Sequence, residues 1–199
     1  MPKRLLDIFL SVPALLALSP LFAVLALLIM AESGRPIFFR QKRVGLQGQE
    51  FWIYKLRTMH QGAQSLGSLT MRADTRITRI GSFLRRHKLD ELPQLFNVLK
   101  GDMSLVGPRP EIPEYVRAYP EQDKGLVLSV RPGLTDFAAL EFRNESELLD
   151  GAQDPEQVYL QQILPRKLDL YRKYVHNASL STDLALIFRT IKTLVYSRH

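Results

Sequence analysis

Cysteine is absent from this 199-residue chain, which excludes a disulfide framework and any thiolate chemistry. Histidine is scarce: four scattered residues, with no cysteine beside them, argue against a structural zinc site. There are no internal repeats and no low-complexity tract. From Ile8 to Met30 there is no charged residue at all. The remaining composition is globular, 46% hydrophobic and 24% charged, which excludes wholesale disorder. The length suits one domain with a real core plus an anchor. A net charge of +7 implies an anionic partner: nucleic acid, an anionic membrane face or phosphorylated substrates.

The uncharged run IFLSVPALLALSPLFAVLALLIM exceeds the roughly 20 apolar residues that span a bilayer. A cleaved signal peptide would share its basic start, Lys3 and Arg4, but the apolar region is too long and no small-x-small cleavage site follows. A spanning helix fits the length. A re-entrant hairpin fits the interruptions, because Pro13 and the Ser19-Pro20 pair remove backbone hydrogen bonds near the middle. Ser19 can offer its hydroxyl to a freed carbonyl. Basic residues flank both ends, Lys3 and Arg4 before and Arg35, Arg40, Lys42 and Arg43 after, so the positive-inside tendency puts both ends on the cytoplasmic side. Each half is about a dozen residues, about 18 Å, too short to cross alone. The residues leave the hairpin and a kinked spanning helix both open.

Past Glu32-Ser33-Gly34 the pattern changes. PIFFRQKRVG and QEFWIYKLRTM, separated by Gly45-Leu46-Gln47-Gly48, predict a β-hairpin. Lys55 and Arg57, two apart, share one strand face and could grip a phosphate, although solvated strand cations are the usual case. Residues 60–75 predict a loop. ITRIGSFLRRH predicts a helix with Ile77, Ile80, Phe83 and Leu84 on one face, either on the core or on a membrane surface.

The stretch from Arg85 to Pro110, RRHKLDELPQLFNVLKGDMSLVGPRP, organises the rest. Adjacent acids Asp90 and Glu91 lie among Arg85, Arg86, His87 and Lys88. DELPQLFNVLKG predicts a helix with Asp90 as N-cap, Pro93 in the first turn and Gly101 after the last. Such a cap would hold a carboxylate ionised, as a nucleophile or a magnesium ligand requires. Pro108, Pro110 and Pro113 stiffen the backbone around Arg109, which suits bidentate phosphate contact; Arg131-Pro132-Gly133 repeats the idea.

Residues 141–155 predict an acidic loop with a short helix. The C-terminal part predicts helices, with a kink or break at Pro165 and a last helix capped by Ser181. That helix carries an apolar stripe of Leu184, Ile187, Phe188, Ile191, Leu194 and Val195, for the domain or the bilayer to cover.

KRLLD, PIFFRQKRVG, YKLRTM, TRIGSFLRRHKLDELPQLFNVLKGDMSLVGPRP and VRPGLT, in that order, resemble the bacterial sugar transferases, the monotopic phosphoglycosyl transferases of small catalytic-domain type. The resemblance implies an α/β fold, mostly helical with a small β-hairpin or sheet. It implies a re-entrant helix-break-helix anchor over residues 1–32, broken at Ser19-Pro20, and a cytoplasmic catalytic domain over 33–199 with amphipathic surface helices. The implied reaction moves a phospho-sugar from a UDP-sugar to polyprenyl (undecaprenyl) phosphate at the cytoplasmic face of the inner membrane, with release of UMP. Asp90 is the implied nucleophile and Mg²⁺ ligand, Glu91 its partner as base or orienter, and Lys55, Arg85, Arg109 and Arg131 the phosphate contacts. Partners are these substrates and membrane lipid; a homodimer is allowed and nucleic acid is not expected. Lys88 and Asp136-Phe137-Ala138 depart from the common family pattern, which leaves the sugar open. A non-catalytic scaffold on anionic lipids would explain the charge and the anchor, but not Asp-Glu beside Pro-Arg-Pro.

Overall fold

The computed structural model describes residues 2–63 and 74–196. Most of the predicted 60–75 loop therefore lies outside the described residues. Among those described, helices dominate and two small sheets accompany them.

Helix α1 runs from Pro2 to Ser33 through both Pro13 and Pro20. The expected break takes the form of one lost hydrogen bond rather than a loss of helical conformation. Pro20 has no N–H to give to the Leu16 carbonyl, and Ser19 Oγ donates to that same oxygen at 2.8 Å. The two ends of α1 are bolted to the domain. At the start, Arg4 caps the last carbonyls of a later helix, those of Val98 and Leu99, and Asp7 accepts from Ser104 Oγ (3.0 Å) and Leu105 N–H (2.9 Å). At the far end, Glu32 accepts from the Arg79 and Ile80 N–H groups at 2.8 and 2.9 Å, and Leu25 and Ile29 are buried with Leu56 and Leu84.

The predicted hairpin forms, with β1 (Phe38–Val44) antiparallel to β2 (Glu50–Leu56). Helix α2 (Arg79–Arg86) follows, capped by Thr78 through Gly81 N–H. Its Leu84 and Ile80 enter the core, whereas Phe83 stays 50% exposed, so the predicted apolar face is split.

The chain then departs from expectation. Lys88 adopts a left-handed conformation (φ 55°), Leu89–Glu91 form a 3-10 turn, and α3 (Gln94–Lys100) starts only after Pro93. Asp90 therefore caps no helix. The expected C-terminus is present: Gly101 ends α3 at φ 97°. Asn97, fully buried on α3, accepts from Tyr54 N–H and donates to the Trp52 carbonyl, holding α3 against β2. Beyond α3, β3 (Ser104–Val106) pairs in parallel with β4 (Gly133–Thr135), a sheet without any sequence signal of its own. The backbones meet so closely there that a Cβ on Gly133 would lie 2.1 Å from Gly107 N, which is why both positions are glycine.

Between those strands lie α4 (Pro113–Arg117) and α5 (Glu121–Val127); after them come α6 (Phe137–Glu141) and α7 (Glu145–Leu148). Helix α8 (Pro155–Val158) passes through a π-turn over Tyr159–Ile163 into α9 (Leu164–His176). The wider turn absorbs the donor missing at Pro165 and the helical path continues. Helix α10 (Leu180–Tyr196) begins with Ser179 Oγ accepting from Thr182 N–H, so Ser179 is the cap and Ser181 is already helical. The largest core cluster joins Val44, Tyr115, Tyr159, Leu164, Leu168 and Tyr171. On α10, Leu186 is buried while Leu184, Phe188 and Ile191 remain half exposed or more. The domain packs against Ile187 but leaves much of that stripe uncovered.

Candidate active site

Three segments converge on the acid pair: β2 supplies Lys55, the 3-10 turn supplies Asp90 and Glu91, and the Pro-Arg-Pro turn supplies Arg109. Glu91 Oε1 accepts from Lys55 Nζ at 2.9 Å and from Arg109 Nη2, and Oε2 accepts from Arg109 Nη1 at 3.0 Å. This is a bidentate guanidinium–carboxylate fork with a lysine added. Burial alone would raise the Glu91 carboxyl, but Arg109 and Lys55 outweigh it and hold it well below the ordinary carboxylate range. Glu91 in turn raises Arg109.

Asp90 has the opposite electrostatics one residue away. It is 7% exposed, and its Oδ1 is buried with no hydrogen-bond partner. Desolvation, then the negative charge of Glu91, push its carboxyl up, against the opposing pull of Lys55, Arg85 and Lys88. A helix terminus does not hold Asp90 ionised, contrary to the expectation from sequence. The cation-bound member of the pair is Glu91, and Asp90 keeps an unengaged oxygen.

Lys55, Asp90, Glu91, Arg85 and Arg109 all line one cavity of about 1720 Å³. That exceeds the roughly 300–1,000 Å³ of a single small-ligand site and leaves room for two substrates. Arg85 Nε donates to Thr58 Oγ1 at 2.8 Å, fixing the guanidinium at the wall. Arg57 also lines the cavity, but its Nη2 donates to Ser33 O, Ser33 Oγ and Gly34 O, so it ties β2 to the end of α1 while Nε and Nη1 lack partners. Lys55 on β2 thus reaches the acid pair, whereas Arg57, one residue past the end of β2, reaches the end of α1. Arg131 is exposed and absent from the cavity lining; its Nε donates to the Gly101 carbonyl at 2.9 Å.

Sequence reasoning missed a second polar layer in the same cavity. Glu111 accepts from Tyr159 Oη at 2.8 Å and pairs with Arg43 (3.6 Å) and Lys167 (3.5 Å), and Lys167 also pairs with Glu145 at 2.5 Å. Lys167 is 4% exposed on α9, where a lysine in a helical pattern carries no signal of burial. Arg43 Nη1 donates to the Pro110 carbonyl, so this layer braces the turn that presents Arg109.

Asp136, flagged only as a departure, is fully buried. Its Oδ1 caps α6 through Ala139 N–H at 2.6 Å, and Oδ2 has no partner. Burial pushes its carboxyl from 3.8 up to about 6. A carboxyl whose pKa rises on folding binds its proton more tightly in the folded state. Stability therefore falls as pH rises from about 4 to about 6, by about 3 kcal/mol at 1.36 kcal/mol per tenfold. Chemical denaturation at pH 4.5 and 7 is expected to show this slope, and Asp136→Asn to flatten it; an unchanged slope in the variant would assign it elsewhere.

The family profile for bacterial sugar transferases matches residues 1–197. A UDP-N-acetylgalactosamine-undecaprenyl-phosphate N-acetylgalactosaminephosphotransferase of Aeromonas hydrophila is 37% identical over 197 residues, 97% of this chain and 43% of that protein. An undecaprenyl-phosphate glucose phosphotransferase of Komagataeibacter xylinus is 36% identical, over 99% of this chain and 36% of that protein. The chain thus spans less than half the length of these two relatives. A shorter relative, a putative undecaprenyl-phosphate N-acetylgalactosaminyl 1-phosphate transferase of Bacillus subtilis (strain 168), is 43% identical over 132 residues, 66% of this chain and 74% of that protein. Matched almost from end to end by the profile, and aligned over nearly its whole length with two named sugar phosphotransferases, the chain belongs to the bacterial sugar transferase family.

Proposed function

We propose that the protein transfers a phospho-sugar from a UDP-sugar to polyprenyl phosphate, in two steps through Asp90. The observation that carries this reading is the division of labour in the acid pair: Glu91 is bound by two cations, whereas Asp90 lines the same cavity and its buried Oδ1 has no hydrogen-bond partner. The names of the relatives supply the substrate class.

In the first step an Asp90 carboxylate oxygen attacks the phosphorus that bears the sugar. The bond from that phosphorus to the bridging oxygen breaks, and UMP leaves with the bridging oxygen. In the second step a phosphate oxygen of the acceptor attacks the same phosphorus. The bond to Asp90 breaks, returning the carboxylate and giving polyprenyl diphosphate sugar. Lys55 and Arg109, preset by Glu91, and Arg85, preset by Thr58, stabilise charge on the transferring group without reorganising. Glu91 is an orienter: a carboxylate held so far below its usual range, with both oxygens engaged, is a poor base.

Magnesium fits this site. The ion needs only one or two protein carboxylates when water and substrate phosphates complete its shell, and Asp90 offers one buried, unpartnered oxygen. No cluster of three or more potential ligands occurs among the described residues, so the diphosphate would supply much of the coordination. When bound, the ion neutralises phosphate charge.

The purified protein is expected to release about one equivalent of UMP per enzyme from a UDP-sugar alone, and to turn over repeatedly only when polyprenyl phosphate is added. A panel of UDP-sugars would select the sugar, since relatives of nearly equal identity carry the names of different ones. No UMP from any member of the panel would overturn the reading.

Helix α1 is the one described helix long and apolar enough to cross a membrane. Its docked residues, through Ser11 at one end and from Leu21 at the other, leave only nine residues between them. That is about 14 Å of helix against a hydrocarbon core of about 30 Å. We infer that the helix enters and leaves by one face, which we assign to the cytoplasmic side; the short undocked stretch supports this reading. The absence of cysteine makes this easy to check with Pro2→Cys and Arg35→Cys. Both are expected to react with an impermeant maleimide only in inside-out vesicles; labelling of Pro2→Cys from the outer side would contradict it.

A further inference from the structure

The cavity that holds the acid pair has an apolar part which the chemistry at Asp90 does not use. Leu10 and Ala14 of α1 line it, as do Leu105 of β3, Leu134 of β4, and Ile187 and Ile191 of α10. These elements are joined side by side. Lys3 of α1 pairs with Asp183 of α10, Asp7 of α1 holds β3, and Thr135 of β4 bonds Thr190 of α10 at 2.6 Å. The small parallel sheet thus forms a floor between the anchor helix and the last helix. Exposed apolar side chains flank these elements, including Phe9 and Leu16 on α1 and Leu184 and Phe188 on α10.

Resting on the two-step reading above, we propose that this trough between α1 and α10 binds the isoprenoid chain of the acceptor next to its phosphate. Three observations commit it to that occupant. The trough is continuous with the cavity that contains Asp90, so a chain lying in it carries its phosphate toward the dyad. One wall is the membrane anchor itself, so the chain reaches the trough from the bilayer without crossing water. Arg43, Glu111, Lys167 and Glu145, by contrast, give the cavity a charged surface suited to a water-soluble donor and costly for a hydrocarbon. Phe188, more exposed than Ile191 on the same helix, does not line the cavity, which separates chain binding from general contact with lipid.

The test compares undecaprenyl phosphate with a ten-carbon prenyl phosphate in one detergent and reads the ratio of their kcat/KM values. The wild type is expected to favour the long acceptor. Ile191→Gln, and independently Ala14→Trp, which fills the trough, are expected to reduce that preference at least tenfold. Phe188→Gln is expected to keep it. Partial misfolding lowers both values together and leaves the ratio, so it cannot imitate the result. A preference retained in both trough variants, or lost equally in Phe188→Gln, would overturn the proposal. No turnover of either acceptor by the wild type would instead overturn the two-step reading on which it rests.

Discussion

Asp90→Asn is expected to lower UMP release by about a thousandfold or more, the order of loss when a covalent nucleophile is removed. The substitution is nearly isosteric and leaves Glu91 with Lys55 and Arg109, so the architecture of the site persists. It also removes a carboxylate that burial disfavours, so the melting temperature is expected to hold or rise. The wild type, mixed with UDP-sugar without acceptor and quenched, is expected to gain the mass of one phospho-sugar on the peptide containing Asp90. Turnover of the variant within tenfold of wild type, or an adduct on another residue, would remove Asp90 from its role.

The second large effect concerns Arg109. Arg109→Met leaves Glu91, 17% exposed in its side chain, with Lys55 as its remaining ion-pair partner among the described residues. Breaking one side of a buried pair costs about 3–5 kcal/mol, and loss of a preset donor costs about 100- to 1,000-fold in rate. Arg109→Lys restores the charge without the two-pronged geometry, so an intermediate result is expected in both measurements. Adding Glu91→Gln to Arg109→Met is expected to recover stability, since no carboxylate is then left poorly paired, but not activity. Thermal melting and UMP release read the two effects separately. If Arg109→Lys matched the wild type in both, the fork would have no special part in the site.

Much of this was legible in the residues. The β-hairpin follows from alternation of aromatic and β-branched residues around a glycine-containing turn, and it forms where expected. The use of Ser19 to satisfy a carbonyl freed by Pro20 is equally local, since both partners lie within one helical turn. Gly101 ends α3 as its position predicts. The N-cap expected at Asp90 did not form because Lys88 turns left-handed and inserts a 3-10 turn before Pro93, a reversal with no glycine to announce it. KRLLD was recognisable as a motif, yet its purpose was not: Arg4 and Asp7 act on partners more than 90 residues away.

By itself, then, the sequence determined an apolar anchor, a hairpin, an acid pair among cations and membership of a family, because each is written in neighbouring residues. Which acid keeps a free oxygen was decided only by the tertiary structure. Asp90 and Glu91 are adjacent in the chain and alike in chemistry. Their difference arises because Lys55 and Arg109, 36 and 18 residues distant, both close on Glu91 and leave Asp90 to the desolvated wall of the cavity. Burial and opposite charge then move two ordinary carboxylates in opposite directions, and neither influence exists until the chain has folded.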